Sequence, residues 1–248
     1  MPAVEWLGPV GSTNEVALLR AAAGAAGPLW FAASEQTGGR GRSGRDWVSP
    51  PGNLYASLLL TYPRALPAIA QLSLVAGLAA HQSVSTLAPA LPLRLKWPND
   101  LLIDGAKICG ILIEGRMNHD TGAHNVVVGI GINLAHHPDL GSRRATSLAA
   151  LGVSAQPATA LSHLSAAFEH WHDVWDEGNG IAAIRQAWMA RTLNLETPVT
   201  VNAGPEQIVG RYLGLDADGA MLLGLPQGGQ RRITFGDVHI GAPPGADR

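Results

Sequence analysis

Apolar residues between positions 29 and 134 fall in short runs of strand length. Clusters of Gly, Pro, Asn and Asp separate these runs, which is typical of buried β-strands. The predicted strands cover Leu29–Ala33, Asn53–Tyr62, Leu93–Trp97, Leu101–Ile103, Ala106–Glu114 and Asn125–Leu134. Asp104-Gly105 stands between two of them and predicts a tight hairpin turn.

Two predicted helices interrupt these strands. Ser12-Thr13-Asn14-Glu15 fits a capping box, in which the serine caps the helix and the glutamate bonds back to it. The helix that follows should end near Ala23. The second helix is Pro67–Leu87, which is rich in Ala and Leu and has proline at its start.

The pattern changes to helical spacing from Pro157 to Leu195, and a second helix in this region is predicted at Ile181–Thr192. It changes again after Pro198, where Gly-containing turns separate five short strands. These strands are Val199–Val201, Ile208–Leu213, Ala220–Leu223, Arg231–Phe235 and Val238–Ile240. We therefore predict a large domain over residues 1–195 and a small β-barrel domain over residues 196–248.

Composition narrows the class of protein. The chain has 248 residues, of which 46% are hydrophobic and 15% charged, as in a globular protein with a sizeable core. The formal net charge of −2 argues against a general nucleic-acid binder. Cys109 is the only cysteine, so an internal disulfide is excluded. With no secretory signal and no apolar run that could span a bilayer, we expect a cytoplasmic protein without a membrane partner.

Residues Gly39–Trp47 stand out because arginine and glycine alternate in an otherwise mildly acidic chain. Glycine lets the backbone approach a ligand, and arginine grips phosphate or carboxylate through its planar fork. The segment predicts a mobile loop that closes over an anion. A solvated surface loop and a nucleic-acid-binding segment are the alternatives that composition leaves open.

Three other polar segments interrupt apolar elements, and each has a structural explanation when taken alone. Ser12-Thr13-Asn14 could serve only as a helix cap. Trp97–Asp100 could be a turn, and Lys107 a solvated strand residue. Gly129–Asn133 could contain a β-bulge. Their combination with the Gly/Arg loop is what carries information about function.

The four segments together resemble the biotin protein ligase family, in its order and at its spacing. The resemblance rests on STN at residues 12–14, GRGRSGRDW at 39–47, KWPNDLLIDGAKICGILIE at 96–114 and VVVGIGINL at 126–134. It covers roughly residues 8–240. Ser43 and Cys109 depart from residues common in the family. Some members place a C-terminal arginine near the adenylate, whereas this chain reads Asp237-Val238-His239-Ile240-Gly241.

The resemblance implies an α/β (α+β) fold: a mixed-sheet catalytic domain related to class II synthetases, followed by a C-terminal SH3-like β-barrel. It also implies a two-step reaction. ATP first activates biotin as biotinyl-5′-AMP, and the biotinyl group then passes to a lysine of a biotin carboxyl carrier domain. Mg²⁺ is expected with ATP, and no metal ligands are assigned.

The resemblance also assigns site residues. Those implied in catalysis are Arg40, Arg42 and Lys107. Those implied in biotin binding are Ser12, Thr13, Asn14, Gln36, Gly39, Arg40, Lys107, Gly110, Gly129 and Gly131. Those implied on the ATP or adenylate side are Arg42, Arg45, Trp47, Asn99 and Asn133. Lys96 and Asp100 are candidates for orienting lysine side chains.

Two other functions remain to be weighed against this one. A lipoate or octanoate ligase would use the same scaffold, but Gln36 and the full Gly/Arg loop disfavour it. A biotin-sensing transcription regulator would carry a helix-turn-helix domain before the ligase motifs, which here begin at Ser12. We therefore expect a monofunctional ligase without an N-terminal DNA-binding domain and without specific DNA binding. A homodimer is left open.

Overall fold

The computed structural model describes residues 1–66, 68–119, 121–139 and 144–241. A seven-stranded mixed sheet forms its centre, with strand order β1-β2-β3-β7-β6-β5-β4. Only β1 and β2 run parallel; the other neighbours are antiparallel. The strands are β1 Ala3–Val10, β2 Leu29–Gln36, β3 Leu54–Tyr62, β4 Leu93–Lys96, β5 Asp100–Ile103, β6 Ala106–Met117 and β7 His124–Ile132. The predicted α/β class with a mixed sheet is confirmed.

Strand β1 was missed by the sequence analysis. It lies at the edge of the sheet and pairs only with β2. Its exposed and half-buried positions do not alternate, and Trp6 is exposed. Gly8 and Pro9 also lie within it and are poor strand formers. An edge strand of this kind has little periodic signal to detect.

Helices cover both faces of the sheet. They are α1 Thr13–Ala22, α2 Leu72–Leu87, α3 Pro157–Trp175 and α4 Ile181–Met189. Helix α1 packs on one face against Phe31, Leu59 and Val127. The larger core, to which α2, α3 and α4 contribute, contains Trp30 and Leu58, whose side chains point to the opposite face.

Several predicted helix boundaries need correction. Pro67 lies outside the described residues, and α2 begins only at Leu72, after a 3₁₀ turn at Ile69–Gln71. Helix α4 ends at Met189 rather than Thr192. The capping box is wrong: the Ser12 side chain makes no cap hydrogen bond. The Thr13 backbone N–H instead donates to Gln36 Oε1 at 2.9 Å, so a distant side chain satisfies this end of the helix.

The predicted hairpin is confirmed. Strands β5 and β6 are joined by Asp104 and Gly105, both with positive φ, at 47° and 76°. Two such residues form the turn whose twist matches that of the flanking strands. The hairpin carries Asp100 and Lys107 on its two strands, close to each other.

The last part of the chain forms a five-stranded antiparallel sheet, as the SH3-like class requires. Its strands are β8 Pro198–Ala203, β9 Glu206–Leu215, β10 Met221–Gly224, β11 Gln230–Ile233 and β12 Asp237–Ile240. Their order is β11-β10-β9-β8-β12, and within the described residues β11 and β12 do not pair, so hydrogen bonds do not close the barrel. The predicted domain boundary at residue 195 stays a prediction, and residues 242–248 of that domain lie outside the description.

Polar contacts join the small sheet to the large domain. Trp97 Nε1 donates to the Gly219 carbonyl at 3.1 Å, and Arg185 Nε donates to the Leu215 carbonyl at 2.7 Å. These contacts help to place the edge strand β12 next to the connection between β4 and β5. None of the helices in the described parts of the chain has both the length and the apolarity needed to cross a bilayer.

Candidate active site

A cavity of about 440 Å³ opens on the sheet face that carries α1. Its walls come from the N-terminus of α1, the Gly/Arg loop, strands β5 to β7 and strand β12. Every predicted site residue except Gly39 lines it. Four segments spread between Ser12 and Asn133 therefore converge on one place.

Glycines form the floor of the cavity where side chains would obstruct it. A Cβ atom on Gly129 would lie 2.2 Å from Asn14 Oδ1, and one on Gly131 would lie 2.6 Å from the Trp47 ring. A Cβ atom on Gly110 would lie 2.9 Å from the same ring. The glycines thus allow Asn14 and Trp47 to approach the sheet closely. This close approach, rather than a β-bulge, explains why glycine stands at these positions.

One end of the cavity is a network of neutral hydrogen-bonding groups. Gln36 Oε1 accepts from Thr13 Oγ1 at 3.0 Å as well as from the Thr13 N–H. Ser57 Oγ lies 2.7 Å from Thr13 Oγ1 and 2.6 Å from Asn14 Oδ1. These bonds fix the orientations of three side chains that were predicted to bind ligand.

The network has members that the sequence analysis missed. Asn14 Nδ2 donates to Glu114 Oε2 at 2.7 Å, and Gln36 Nε2 donates to Ser49 Oγ at 3.0 Å. Ser57 was also missed, although it is a fully buried hydroxyl within an apolar strand. A serine on the inward face of such a strand was the available signal, because buried hydroxyls need partners.

The other end of the cavity is cationic and centres on Asp100. This carboxylate pairs with Lys107 Nζ at 2.5 Å and Lys96 Nζ at 2.7 Å, and its side chain is only 10% exposed. Burial alone would raise the pKa of Asp100, but the two ammonium groups outweigh burial and hold the pKa well below its usual range. Asp100 therefore stays ionised and orients both predicted lysines.

The Gly/Arg loop folds back on itself and contacts the small sheet. Gly41 N–H donates to the Arg45 carbonyl at 2.7 Å, and Trp47 N–H donates to the Gly39 carbonyl at 2.9 Å. Arg45 Nη2 pairs with Asp237 Oδ1 at 2.7 Å. Arg45 therefore has an anionic partner within the protein, on the small sheet. The mobility of the loop stays a prediction.

The remaining predicted residues lie in the cavity wall or directly behind it. The Trp47 ring covers the glycine floor and lies 5.2 Å from Lys107 Nζ, as a cation–π pair. Asn99 Nδ2 donates to the Ile111 carbonyl at 2.6 Å, and buried Asn133 donates to the Thr146 carbonyl at 3.0 Å. Both asparagines shape the wall through the backbone. Gly39 lies behind the wall, where a Cβ atom would meet the Trp47 carbonyl at 2.5 Å.

Comparison with known proteins agrees with this geometry. Residues 11–133 match the family described as Biotin/lipoate A/B protein ligase family, and residues 195–241 match the Biotin protein ligase C terminal domain. A biotin--[acetyl-CoA-carboxylase] ligase of Paracoccus denitrificans is 39% identical over 93% of this chain and 97% of its own length. The chain belongs to the biotin protein ligase family.

Further relatives extend this match. The corresponding ligase of Mycobacterium tuberculosis is 34% identical over 92% of this chain and 85% of its own length. Among solved structures, the Aquifex aeolicus biotin protein ligase in complex with biotin and ATP superposes with a TM-score of 0.80 at 28% identity. That match covers 98% of this chain and all of the other.

Strand β12 is one part of this family member's cavity to which the sequence analysis assigned no residue. Asp237, Val238, His239 and Ile240 all line the cavity. The Gly236 carbonyl, just before the strand, accepts from Arg42 Nη2 at 3.0 Å, and the Val238 carbonyl accepts from Lys96 Nζ at 3.0 Å. The last strand thus brings a carboxylate and carbonyls to the cavity, where some relatives were expected to bring an arginine.

Proposed function

We propose that the chain activates biotin with ATP and transfers it to a lysine of a biotin carboxyl carrier domain. The observation that carries this proposal is the division of one cavity into a neutral hydrogen-bonding end, a glycine floor and a cationic end. A ligand that fits has a neutral polar head, an apolar middle and an anionic end. Biotin has this sequence of groups.

The neutral end suits the ureido ring of biotin. A ring with fixed N–H and C=O groups is recognised best by side chains whose own orientations are fixed. Thr13, Gln36 and Asn14 are held by the network described above. Ser12 lines the same end without capping α1, and we assign it to the same ring.

The cationic end suits the first step. A biotin carboxylate oxygen attacks the α-phosphorus of ATP, the bond from this phosphorus to the bridging oxygen breaks, and pyrophosphate leaves. Two anions must meet, so cations must be placed beforehand to stabilise the charge that develops. We assign this role to Arg40, Arg42 and Lys107, with Lys107 oriented by Asp100.

In the second step the amine of the carrier lysine attacks the acyl carbon of the mixed anhydride. An amide forms, the acyl–oxygen bond breaks, AMP leaves and the amine gives up a proton. Asp100 already orients Lys96 and Lys107, and its role toward the incoming lysine stays a prediction. Trp47, Arg45, Asn99 and Asn133 are assigned to the adenylate side.

Mg²⁺ is proposed only as a companion of ATP. Among the described residues no three His, Cys, Asp or Glu side chains are grouped so that they could hold a metal ion. Asp100, the most buried carboxylate at the site, is occupied by two lysines. The described residues therefore offer no cage of their own, and Mg²⁺ commonly reaches such sites on the phosphates of its nucleotide.

The test of substrate is pyrophosphate exchange into ATP, measured with biotin and with lipoate in parallel. We expect exchange with biotin and none with lipoate, because the dithiolane end of lipoate would leave the Thr13–Gln36–Asn14 network without polar partners. Stronger exchange with lipoate would overturn the assignment. Biotin incorporation into a purified carrier domain then tests the second step.

The regulator alternative is tested by a mobility-shift assay on promoter DNA. We expect no sequence-selective, salt-resistant shift, because the chain is mildly acidic and the three arginines of its Gly/Arg loop line one cavity. Such a shift would restore the regulator as a second function. A cytoplasmic location and a homodimer stay predictions.

A further inference from the structure

Within residues 1–241 as described, strand β12 pairs with another strand on one edge, and its residues also line the cavity. It hydrogen-bonds to β8 and ends the order of its sheet. Three cationic side chains of the large domain contact it or the residue before it. Arg45 pairs with the Asp237 carboxylate, Arg42 donates to the Gly236 carbonyl, and Lys96 donates to the Val238 carbonyl.

Asp237 is the charged member of this contact. Its Oδ1 lies 2.7 Å from Arg45 Nη2 and 4.0 Å from Arg42 Nη1, and its side chain is 23% exposed. Both arginines belong to the Gly/Arg loop, whose own 3₁₀ turn at Arg42–Gly44 carries no buried residue. The loop therefore has little apolar packing here to hold it, and its charged contacts with the small sheet matter more.

The contacts of the Gly/Arg loop connect the two sheets. They join a segment between β2 and β3 to residues 236 and 237, so they cross from one sheet to the other. The Arg42 Nη1 group additionally donates to Asn99 Oδ1 at 3.3 Å, on the cavity wall. The loop is thus held both at Asn99, on the cavity wall, and at Asp237, on the small sheet.

We propose that Asp237 is a positioning residue that latches the Gly/Arg loop across the cavity and so retains the activated intermediate. This rests on the proposed function. The small C-terminal domain then contributes to the reaction through Arg45 and Arg42, rather than by a cation of its own. A closed loop excludes water from the mixed anhydride and keeps it from leaving before the carrier lysine arrives.

The latch predicts an effect on retention that exceeds the effect on synthesis. Asp237 is not among the groups assigned to the α-phosphate, and Lys107, which is, pairs with Asp100 instead. In Asp237→Asn we expect biotinyl-AMP release to rise about fivefold, the equivalent of losing one partly exposed ion pair. The single-turnover rate of adenylate formation should change much less. Biotinylation of a bystander lysine-rich protein should rise relative to biotinylation of the carrier.

The experiment compares four variants with wild type. Asp237→Glu keeps the charge and should restore retention. Arg45→Gln breaks the same pair from the loop, leaves β12 unaltered and should release adenylate as Asp237→Asn does. Glu206→Gln is the matched control, because Glu206 forms an ion pair with Arg231 in the same small sheet but away from the cavity. Its release rate should equal that of wild type.

Either of two release measurements would overturn the proposal: wild-type release from both Asp237→Asn and Arg45→Gln, or release from Asp237→Glu as fast as from Asp237→Asn. Amide exchange of residues 39–47 without substrates reads the latch itself, and it should quicken in Asp237→Asn. A wild-type enzyme that shows no biotin-dependent exchange of pyrophosphate into ATP would refute the proposed function. Amide exchange that is unchanged in Asp237→Asn would refute the latch.

Discussion

Two carboxylates hold the cations of this cavity, and they do so in different settings. Asp100 stands on a strand of the large sheet, is nearly buried and pairs with Lys96 and Lys107. Asp237 stands on the edge strand of the small sheet, is about a quarter exposed and pairs with Arg45, with Arg42 beside it. The Asp100 group lies within one sheet, whereas the Asp237 group joins a loop to another domain.

The difference indicates a division of labour. A buried pair on neighbouring strands cannot rearrange without disturbing the sheet, so the Asp100 group suits fixed charges that stabilise a transition state. A partly exposed pair between a loop and a separate sheet can open at small cost, so the Asp237 group suits a closure that must also let ligands pass. The predictions below test this division.

The largest expected effect is on stability. Asp100→Asn removes the charge that compensates two partly buried lysines, so the free energy of unfolding should fall by about 3–5 kcal/mol. Asp237→Asn breaks a more exposed pair and should cost at most about 1 kcal/mol. Urea denaturation of both variants measures the difference. Equal losses would show that the two groups are not distinct in this way.

The next effect is on rate. Lys107→Ala removes a charge at the cationic end and should slow adenylate formation by about 10²–10³-fold in a single-turnover assay. Because Lys107 pairs with buried Asp100, this variant should also lose stability, more than an isolated strand lysine would. Arg45→Ala is the comparison on the Asp237 side and should slow formation far less. Near-normal formation by Lys107→Ala would remove Lys107 from the catalytic set.

A smaller effect concerns salt. Raising the salt concentration from about 0.1 M to 1 M shortens the screening length from roughly 10 Å to 3 Å, which weakens exposed pairs more than buried ones. Wild-type adenylate release should therefore approach that of Asp237→Asn at high salt. The stability gap between wild type and Asp100→Asn should persist. The test fails if release by the two enzymes differs equally at both concentrations.

The smallest effect concerns pH. The pKa of Asp100 is depressed in the folded protein, so its contribution to stability is fully present above the unfolded pKa of about 3.9 and is lost as pH falls below it. The stability difference between wild type and Asp100→Asn should stay constant from pH 7 to 5 and narrow below about pH 4. Denaturation curves across this range would contradict the assignment if the difference narrowed already at pH 6.

Local sequence was enough to predict much of the cavity. Gly110, Gly129 and Gly131 interrupt apolar strands, and a predicted hairpin lies between Lys96 and Lys107. Residues Gly39–Trp47 contain three arginines. All the predicted site residues in these segments, except Gly39, line one cavity. The capping box failed because Gln36, far along the chain, takes the Thr13 N–H. Strand β1 escaped because an exposed edge strand needs no apolar alternation.

By itself, the sequence determined the kinds of groups that the cavity would contain, because residue type and spacing set charge, conformational freedom and strand pattern. The tertiary structure decided which cation pairs with which carboxylate. Lys96 and Lys107 meet Asp100 through the register of β4, β5 and β6. Arg45 meets Asp237, 192 positions further along the chain, only because the small sheet packs with β12 beside the loop. No local pattern encodes such a contact, since it depends on how two separately formed sheets are placed against each other.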